Sequence, residues 1–146
     1  MTPAHSKVTD PEELYTYMKK VHISKGKKMK YIIIACELDG ERKYFLRGKD
    51  KLEYHKEILE DFKRKFLKKI KNVDYVASAE VVKDMDCVLK IEAIGGGRIE
   101  RKSSNKIKIY GYSQAYGQAK HTDAADMISD FCGIRRDLIE TSNKGY

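Results

Sequence analysis

The segment YIIIACELDGERKYFL, residues 31–46, decides the fold class. Both halves are rich in β-branched and aromatic residues, which favour strands. The dipeptide Asp39-Gly40 between them is typical of a two-residue hairpin turn. The segment therefore predicts two antiparallel strands, 31–38 and 41–46. The lysine-rich stretch before it, residues 25–30 (KGKKMK), predicts a basic loop.

A stretch in which apolar residues have the spacing of a helix follows the hairpin. Apolar residues recur every three or four positions between Leu52 and Ile70, and Asp50 with Glu53 makes a capping pair at the start. A shorter helix is predicted over residues 124–131, because Gly133 is a typical helix end.

Three further stretches, 87–94, 106–112 and 138–141, are predicted to be strands. Three glycines, 95–97, interrupt the first of them and predict a bulge or a close approach of another backbone. Residues 73–82 are ambiguous. Together the elements predict a single α+β domain with a mixed or antiparallel sheet and two main helices.

A chain of 146 residues suits one domain. Residues 1–20 are predicted to form a partly helical N-terminal extension, and residues 21–146 the domain itself. No apolar run reaches the roughly 18 residues that cross a bilayer, and the first twenty residues lack the pattern of a secretory signal. We therefore expect a cytoplasmic monomer with no membrane partner.

The basic character of the chain favours anionic partners, since 30 lysines and arginines face 22 aspartates and glutamates, for a charge of +8. Much of the excess, residues 63–71, is explained by solvation of one helix face. No nucleic-acid-binding signature occurs, so we expect no nucleic-acid partner. Neither the cysteines nor the histidines have metal-ligand spacing, so no metal is expected.

His55 is the first candidate catalytic residue. It falls in register with the apolar stripe of the long helix, where a satisfied structural histidine is the commoner finding. A position near a helix N-terminus keeps the ring neutral, as a general base must be, and first-turn amides can donate to a phosphate. Both interpretations are open at this point.

The second candidate is the segment YGYSQAYGQAKH, residues 110–121, which leaves a strand and approaches a helix. Its small residues let backbone N–H groups converge on an anion, although an ordinary connecting loop has the same spacing. Lys30, Arg47 and Arg98 lie beside predicted strand ends or turns. Such cations line an anion pocket or only solvate an edge, and the sequence does not show that they converge.

Cys36 and Arg42 have the Cys-x5-Arg spacing of cysteine phosphatases. That chemistry needs a thiolate at the mouth of a phosphate-binding loop. Here three carboxylates and a hairpin turn separate the two residues, so this mechanism is rejected.

Several short motifs occur along the chain in a characteristic order. They are Lys30-Tyr31, Arg47-Gly48, Glu53-Tyr54-His55, GGGRI at 95–99, YGYSQAYGQAKH at 110–121 and Gly145-Tyr146. In these motifs the chain resembles the small, 14 kDa phosphohistidine phosphatases, which are related to the Janus and Ocnus proteins. The resemblance extends from about Val21 to the C-terminus, apart from residues 73–86, which look partly inserted.

The resemblance implies a metal-independent phosphatase, without cofactor, that hydrolyses the P–N bond of phosphohistidine in partner proteins and leaves phospholysine open as a second substrate. A neutral base would take a proton from water for in-line attack. A non-catalytic phosphate or phosphopeptide reader is the alternative function. The matching residues are His55 as the base, Ser113, Gln114 and Ala115 as the phosphate-binding loop, the amides of Tyr54 and His55, Lys30 for substrate, and Arg47 and Arg98 around the site.

The resemblance and the capping pattern disagree about where the long helix begins. A start at Asp50 engages the amides of Tyr54 and His55 within the helix. The resemblance requires a later start, which leaves them available, and we expect the later one.

Overall fold

The strands of the hairpin segment form the middle of one mixed sheet. A computed structural model describes residues 19–38, 40–67, 73–76, 79–82, 87–102 and 105–144. The elements in these ranges are β1 (Val21–Ile23), β2 (Lys28–Leu38), β3 (Glu41–Lys49), α1 (His55–Leu67), β4 (Val73–Val76), β5 (Ala79–Val82), β6 (Cys87–Arg101), β7 (Ile107–Tyr110), α2 (His121–Cys132), a 3-10 turn (Arg136–Leu138) and β8 (Ile139–Thr141).

The eight strands of the described residues follow the order β1-β3-β2-β6-β5-β4, with β7 beside β6 and β8 beside β7. The pairs β1·β3 and β7·β8 are parallel, and the other pairs are antiparallel. β2 thus lies between β3 and β6, which brings the residue segments around 47, 30 and 98 onto adjacent strands.

The two helices cover opposite faces of the sheet. Tyr31 and Ile33 belong to the core cluster that includes Ala124 and Ile128 of α2. The alternate residues of β2 point to the other face. On that face Phe45 of β3 packs against Phe62 of α1, with the two ring centroids 5.4 Å apart. Burial of β2 on both faces accounts for its unbroken apolar run.

The predicted fold class is confirmed, as are the two main helices and the hairpin, whose strands pair from Leu38 opposite Glu41. Gly40 has φ +81°, which a primed hairpin turn requires. α2 ends at Gly133, whose left-handed φ of +69° terminates the helix. The ambiguous stretch 73–82 contains the two paired strands β4 and β5.

One local prediction is wrong, one strand was not predicted, and one predicted interruption lies within a longer strand. Residues 28–30 are the start of β2 and not a loop, because they pair with β6. Val21 lies in a strand, β1, that the sequence did not indicate. β6 runs through the three glycines, and the pairing with β2 shifts register at Ile33 and Ile34, so the expected bulge occurs inside the strand.

The predicted helix of the N-terminal extension, Asp39, part of the segment 73–86 and the terminal Gly145-Tyr146 lie outside the described residues. Neither α1, with 13 residues, nor α2, with 12, is long and apolar enough to cross a bilayer.

Candidate active site

His55 is the first residue of α1, and its side chain is buried, with 6% of its surface exposed. Its Nε2 lies 2.9 Å from the carbonyl oxygen of Gly97 in β6. Because a carbonyl can only accept a hydrogen bond, Nε2 carries the proton and donates it. In the neutral ring the lone pair is therefore on Nδ1, the atom that can take a proton from water.

The surroundings of His55 hold it in the neutral form. Burial is the main cause that lowers its pKa below the usual 6.5, and the positive charges of Lys30 and Arg98 lower the pKa further. The hydrogen bond to Gly97 acts in the opposite direction, but the pKa remains lowered. At neutral pH the imidazole is uncharged, as a general base requires.

The start of α1 confirms the later of the two predicted helix starts. The N–H of Tyr54 donates to Oε1 of Glu57 at 3.0 Å, and the N–H of Glu57 donates to the carbonyl of Tyr54 at 3.1 Å. Glu57 therefore caps the helix, and the predicted capping pair of Asp50 and Glu53 is wrong. The amide of His55 lies in the first turn, where N–H groups have no intrahelical acceptor.

The turn from Ser113 to Gly117 is fixed by three internal hydrogen bonds. The N–H of Ser113 donates to the carbonyl of Gly117 at 3.0 Å, and the N–H of Gly117 donates back to the carbonyl of Ser113 at 2.8 Å. The N–H of Tyr116 donates to Oγ of Ser113 at 3.1 Å. Gly117 has φ +83°, a conformation that side chains other than glycine rarely adopt.

These bonds correct the predicted role of Ser113. Its amide is already engaged with Gly117, and its buried hydroxyl supports the turn from inside. The amides of Gln114 and Ala115, at the exposed tip of the turn, make no backbone hydrogen bond within the described part of the chain. They are the two donors that the turn can offer to an anion.

Gly96 joins the turn to His55. Its N–H donates to the carbonyl of Gly117 at 3.1 Å, and its carbonyl accepts from the N–H of Ala119 at 3.0 Å. A Cβ atom on Gly96 would lie 3.0 Å from Cδ2 of His55 and 3.1 Å from Cβ of Ser113. The two side chains therefore both pack against Gly96, where only a glycine fits. The close approach predicted for the three glycines is confirmed at this residue.

Lys30 and Arg98 lie directly opposite each other on β2 and β6. The positive charges of both side chains lower the pKa of His55. The ammonium group of Lys30 donates to the carbonyl of Glu53, which ties β2 to the segment before α1. It also lies 5.8 Å from the ring centroid of Tyr54, whose other neighbour is the ammonium of Lys56 at 6.0 Å.

Comparison with known proteins identifies the family of the chain. The sequence profile of the Janus/Ocnus family matches residues 15–133. The chain belongs to the Janus/Ocnus family. It is 31% identical to the sex-regulated protein janus-A of Drosophila yakuba over 141 residues, which cover 92% of this chain and 87% of that protein. It is 30% identical to janus-A of Drosophila melanogaster over the same length and the same shares.

A second kind of relative carries an activity in its name. The chain is 36% identical to the 14 kDa phosphohistidine phosphatase of Sus scrofa over 90 residues, which cover 61% of this chain and 57% of that protein. The predicted family resemblance is thus confirmed for this Janus/Ocnus protein.

Arg47 makes its described contacts with β3, α1 and the backbone of Lys19. Its guanidinium is buried and donates to the carbonyls of Leu46 at 2.9 Å and Lys19 at 2.8 Å. It stacks 5.0 Å from the ring centroid of Phe62. Burial lowers its pKa to about 10. In this Janus/Ocnus protein Arg47 packs between β3 and α1, and its expected role around the site stays a prediction.

A buried pair that the sequence analysis did not assign lies on the opposite face of β6. The hydroxyl of Tyr31 donates to Nδ1 of His121 at 2.5 Å, and Nε2 of His121 donates to the carbonyl of Gly111 at 2.8 Å. A Cβ on Gly97 would lie 2.6 Å from Cε1 of His121. Burial lowers the pKa of His121 and raises the pKa of Tyr31. Both shifts favour the uncharged side chains that this hydrogen bond joins.

Other nucleophile and metal chemistry finds no support in the described residues. Cys36 is fully buried within β2, opposite Lys43 and Ile91, and not at the mouth of a loop. The rejection of a cysteine mechanism is thereby confirmed. Within the same part of the chain, no three His, Cys, Asp or Glu side chains are grouped closely enough to hold a metal ion.

Proposed function

We propose that this Janus/Ocnus protein is a protein phosphohistidine phosphatase. The observation that carries the proposal is the state of His55. It is neutral, its Nε2 proton is committed to Gly97, and it packs, like Ser113, against Gly96. A neutral ring with a bare Nδ1 suits a general base, and the turn that begins at Ser113 offers two backbone donors at its tip.

The phosphoryl group is held by groups of the segments that pack against Gly96. The amides of Gln114 and Ala115 and the first-turn amide of His55 donate to its oxygens. Lys30 and Arg98 supply two positive charges from adjacent strands. The amide of Tyr54, also predicted to bind phosphate, becomes available only when the carboxylate of Glu57 turns away.

The chemical step is an in-line displacement at phosphorus. Nδ1 of His55 takes one proton from a water molecule while the water oxygen forms the new P–O bond. The P–N bond breaks, and its electron pair goes to the imidazole nitrogen of the substrate. The other nitrogen of that ring carries a proton in the substrate and keeps it, so the ring leaves as neutral imidazole. This protonated ring is a good leaving group, so positioning and charge stabilisation supply the rest of the rate enhancement.

Two comparisons support the proposal. The relative from Sus scrofa is named for phosphohistidine phosphatase activity, and the family profile spans both His55 and the turn. Phosphohistidine-containing proteins are the partners that follow from this activity. The janus-A relatives carry no activity in their names, so the test on this chain is direct assay.

The experiment measures release of inorganic phosphate from a phosphohistidine peptide in the presence of EDTA. We expect turnover by the wild type, and a loss of about 10² to 10⁴ in kcat for His55→Ala, the usual contribution of a positioned base. Binding of inorganic phosphate and the thermal unfolding midpoint serve as folding controls and should persist in the variant. Wild type that binds the phosphopeptide without releasing phosphate would instead be the non-catalytic reader.

A further inference from the structure

A row of three cations crosses the sheet beside the candidate site. Arg98 of β6, Lys30 of β2 and Lys49 of β3 are direct cross-strand partners, in this order. Like charges placed directly opposite each other destabilise a sheet. Such a row is therefore better explained by an anionic ligand than by the stability of the fold.

The row leads from the candidate site into a cluster of lysines. Lys49 lines an open cavity of about 530 Å³ together with Lys25, Lys51 and Lys65, which we call the lysine cluster. Two carboxylates, Asp50 and Asp61, line the same cavity. The four lysines therefore exceed the carboxylates.

Asp61 does not neutralise the lysine cluster, because three cations share it. Lys65 lies 3.1 Å from its Oδ2, Lys49 lies 4.0 Å from the same atom, and Arg64 lies 3.1 Å from Oδ1. The neighbouring His22 lies in the positive electrostatic potential that remains. Its pKa is lowered first by burial and then by surrounding positive charges, of which Lys49 is the largest contributor.

We propose that the lysine cluster binds an acidic segment of the phosphoprotein whose phosphohistidine occupies the candidate site. The inference deepens the proposed function, on which the identity of the partner rests. Carboxylate side chains are the matching chemistry, since flexible lysines bind them without a fixed geometry. The surface thus selects substrates by the charge of the sequence that flanks the phosphohistidine.

The register predicts where the acidic residues must lie. Two strand spacings separate Arg98 from Lys49, which amounts to about 10 Å. An extended peptide advances about 3.3 Å per residue, so the carboxylates should lie about three residues from the phosphohistidine. A single peptide can then reach the site and the lysine cluster together.

The experiment compares three substrates: free phosphohistidine, a phosphohistidine peptide with aspartates three and four residues away, and the same peptide with asparagines there. The test variant is Lys49→Gln/Lys51→Gln/Lys65→Gln. The control variant, Lys90→Gln/Lys106→Gln/Lys120→Gln, removes the same charge from exposed lysines elsewhere. A second test variant, Lys25→Gln/Lys51→Gln, leaves the ion pairs of Asp61 in place.

We expect the test variants to raise KM for the aspartate peptide, about tenfold for the triple variant, because each exposed charge pair contributes little by itself. The values of kcat, and of KM for free phosphohistidine and the asparagine peptide, should stay unchanged. An equal rise of KM in the control variant would mean that only the overall field matters and would overturn the proposal. No preference of the wild type for aspartate over asparagine would overturn it as well.

A binding arm separates this inference from the proposed function. Fluorescence anisotropy measures binding of the unphosphorylated aspartate peptide, with an oligonucleotide of equal charge as competitor. Failure of all phosphate release with intact, cluster-dependent peptide binding rejects the phosphatase and keeps the acidic docking surface. Intact turnover with no cluster-dependent peptide binding rejects the acidic docking surface and keeps the phosphatase. Tighter binding of the oligonucleotide than of the peptide overturns the choice of partner.

Discussion

The carbonyl oxygen of Gly97 accepts the Nε2 proton of His55 at 2.9 Å, so the sheet itself determines which nitrogen of this histidine is bare. Gly97 is in turn enclosed from the other face, where a Cβ would meet Tyr31 and His121. The strand of three glycines is thus confined between two buried histidines, each the first residue of a helix. One of them, His55, borders the candidate site, and the other supports the strand behind it.

The tautomer of His55 can be measured directly. At pH 7.5 we expect the ¹⁵N resonance of Nε2 to have the shift of a protonated ring nitrogen and that of Nδ1 the shift of a bare one, because Gly97 can only accept. His121 is an internal reference, since its Nε2 donates to Gly111. A proton on Nδ1 of His55 would remove the proposed base.

Gly96→Ala should damage the site more than the fold. The new methyl group would lie 2.6 Å from the carbonyl of Tyr31 and 3.0 Å from Cδ2 of His55, so the histidine must move. We expect a loss of about 1–3 kcal/mol in the free energy of unfolding, as in other overpacked cores, with a large fall in kcat.

Gly48→Ala is the matched control for crowding of the sheet. Its methyl group would meet Sδ of Met29 at 2.9 Å, away from His55. Comparable destabilisation with unchanged kcat is expected. Equal losses of kcat in the two variants would show that the effect of Gly96→Ala comes from general strain.

Ser113→Ala should loosen the phosphate-binding turn. It removes the acceptor of the Tyr116 amide, which costs about 1 kcal/mol of stability, and lets the amides of Gln114 and Ala115 lose their alignment. We expect a raised KM for a phosphohistidine peptide. Ser129→Ala loses a comparable bond, from Oγ to the carbonyl of Ile134 at 2.7 Å, far from the turn. It should change unfolding but not KM, and a parallel rise of KM would argue against a local role for Ser113.

Arg47→Met should separate packing from catalysis. The variant loses two hydrogen bonds to the carbonyls of Leu46 and Lys19, and we expect about 1–3 kcal/mol of destabilisation by urea unfolding. Because the guanidinium lies between β3 and α1, kcat/KM should be unchanged at a temperature where the variant is folded. Arg98→Met, beside His55, should show the reverse pattern. A fall of kcat/KM in Arg47→Met without loss of stability would return Arg47 to the site.

The sequence predicted those parts of the molecule that local chemistry determines. The Asp39-Gly40 hairpin, the glycine that ends α2 and the close backbone approach at Gly96 each follow from a conformation that few residues adopt. The fold class follows from the same local patterns. The sequence identifies His55 and the turn at residues 113–117 as separate candidates. Their common contact with Gly96 depends on the tertiary fold, which no local pattern predicts.

The errors arose where distant residues decide. Lys28 to Lys30 look like a loop by composition, but pairing with β6 makes them a strand. β1 has only three residues and exists because β3 offers a parallel edge. Arg47 has the sequence context of a site cation, and its contacts with the ring of Phe62 and two carbonyls also come from distant parts of the chain. The hydrogen bond of Ser113 to Gly117 likewise depends on how the turn closes.

The most direct test of the account compares the pH dependence of kcat/KM with the NMR titration of His55, in the wild type and in Arg98→Gln. Activity requires the neutral ring, so kcat/KM should fall as the pH drops through the pKa of His55, which lies below 6.5. Removal of a neighbouring positive charge should raise that pKa. The substrate is the same for the wild type and the variant, so its own ionisation contributes equally to the two pH profiles of kcat/KM. We predict that the acid limb and the His55 titration move together to higher pH; an acid limb that stays in place while the titration of His55 moves would contradict the role of His55 as the base.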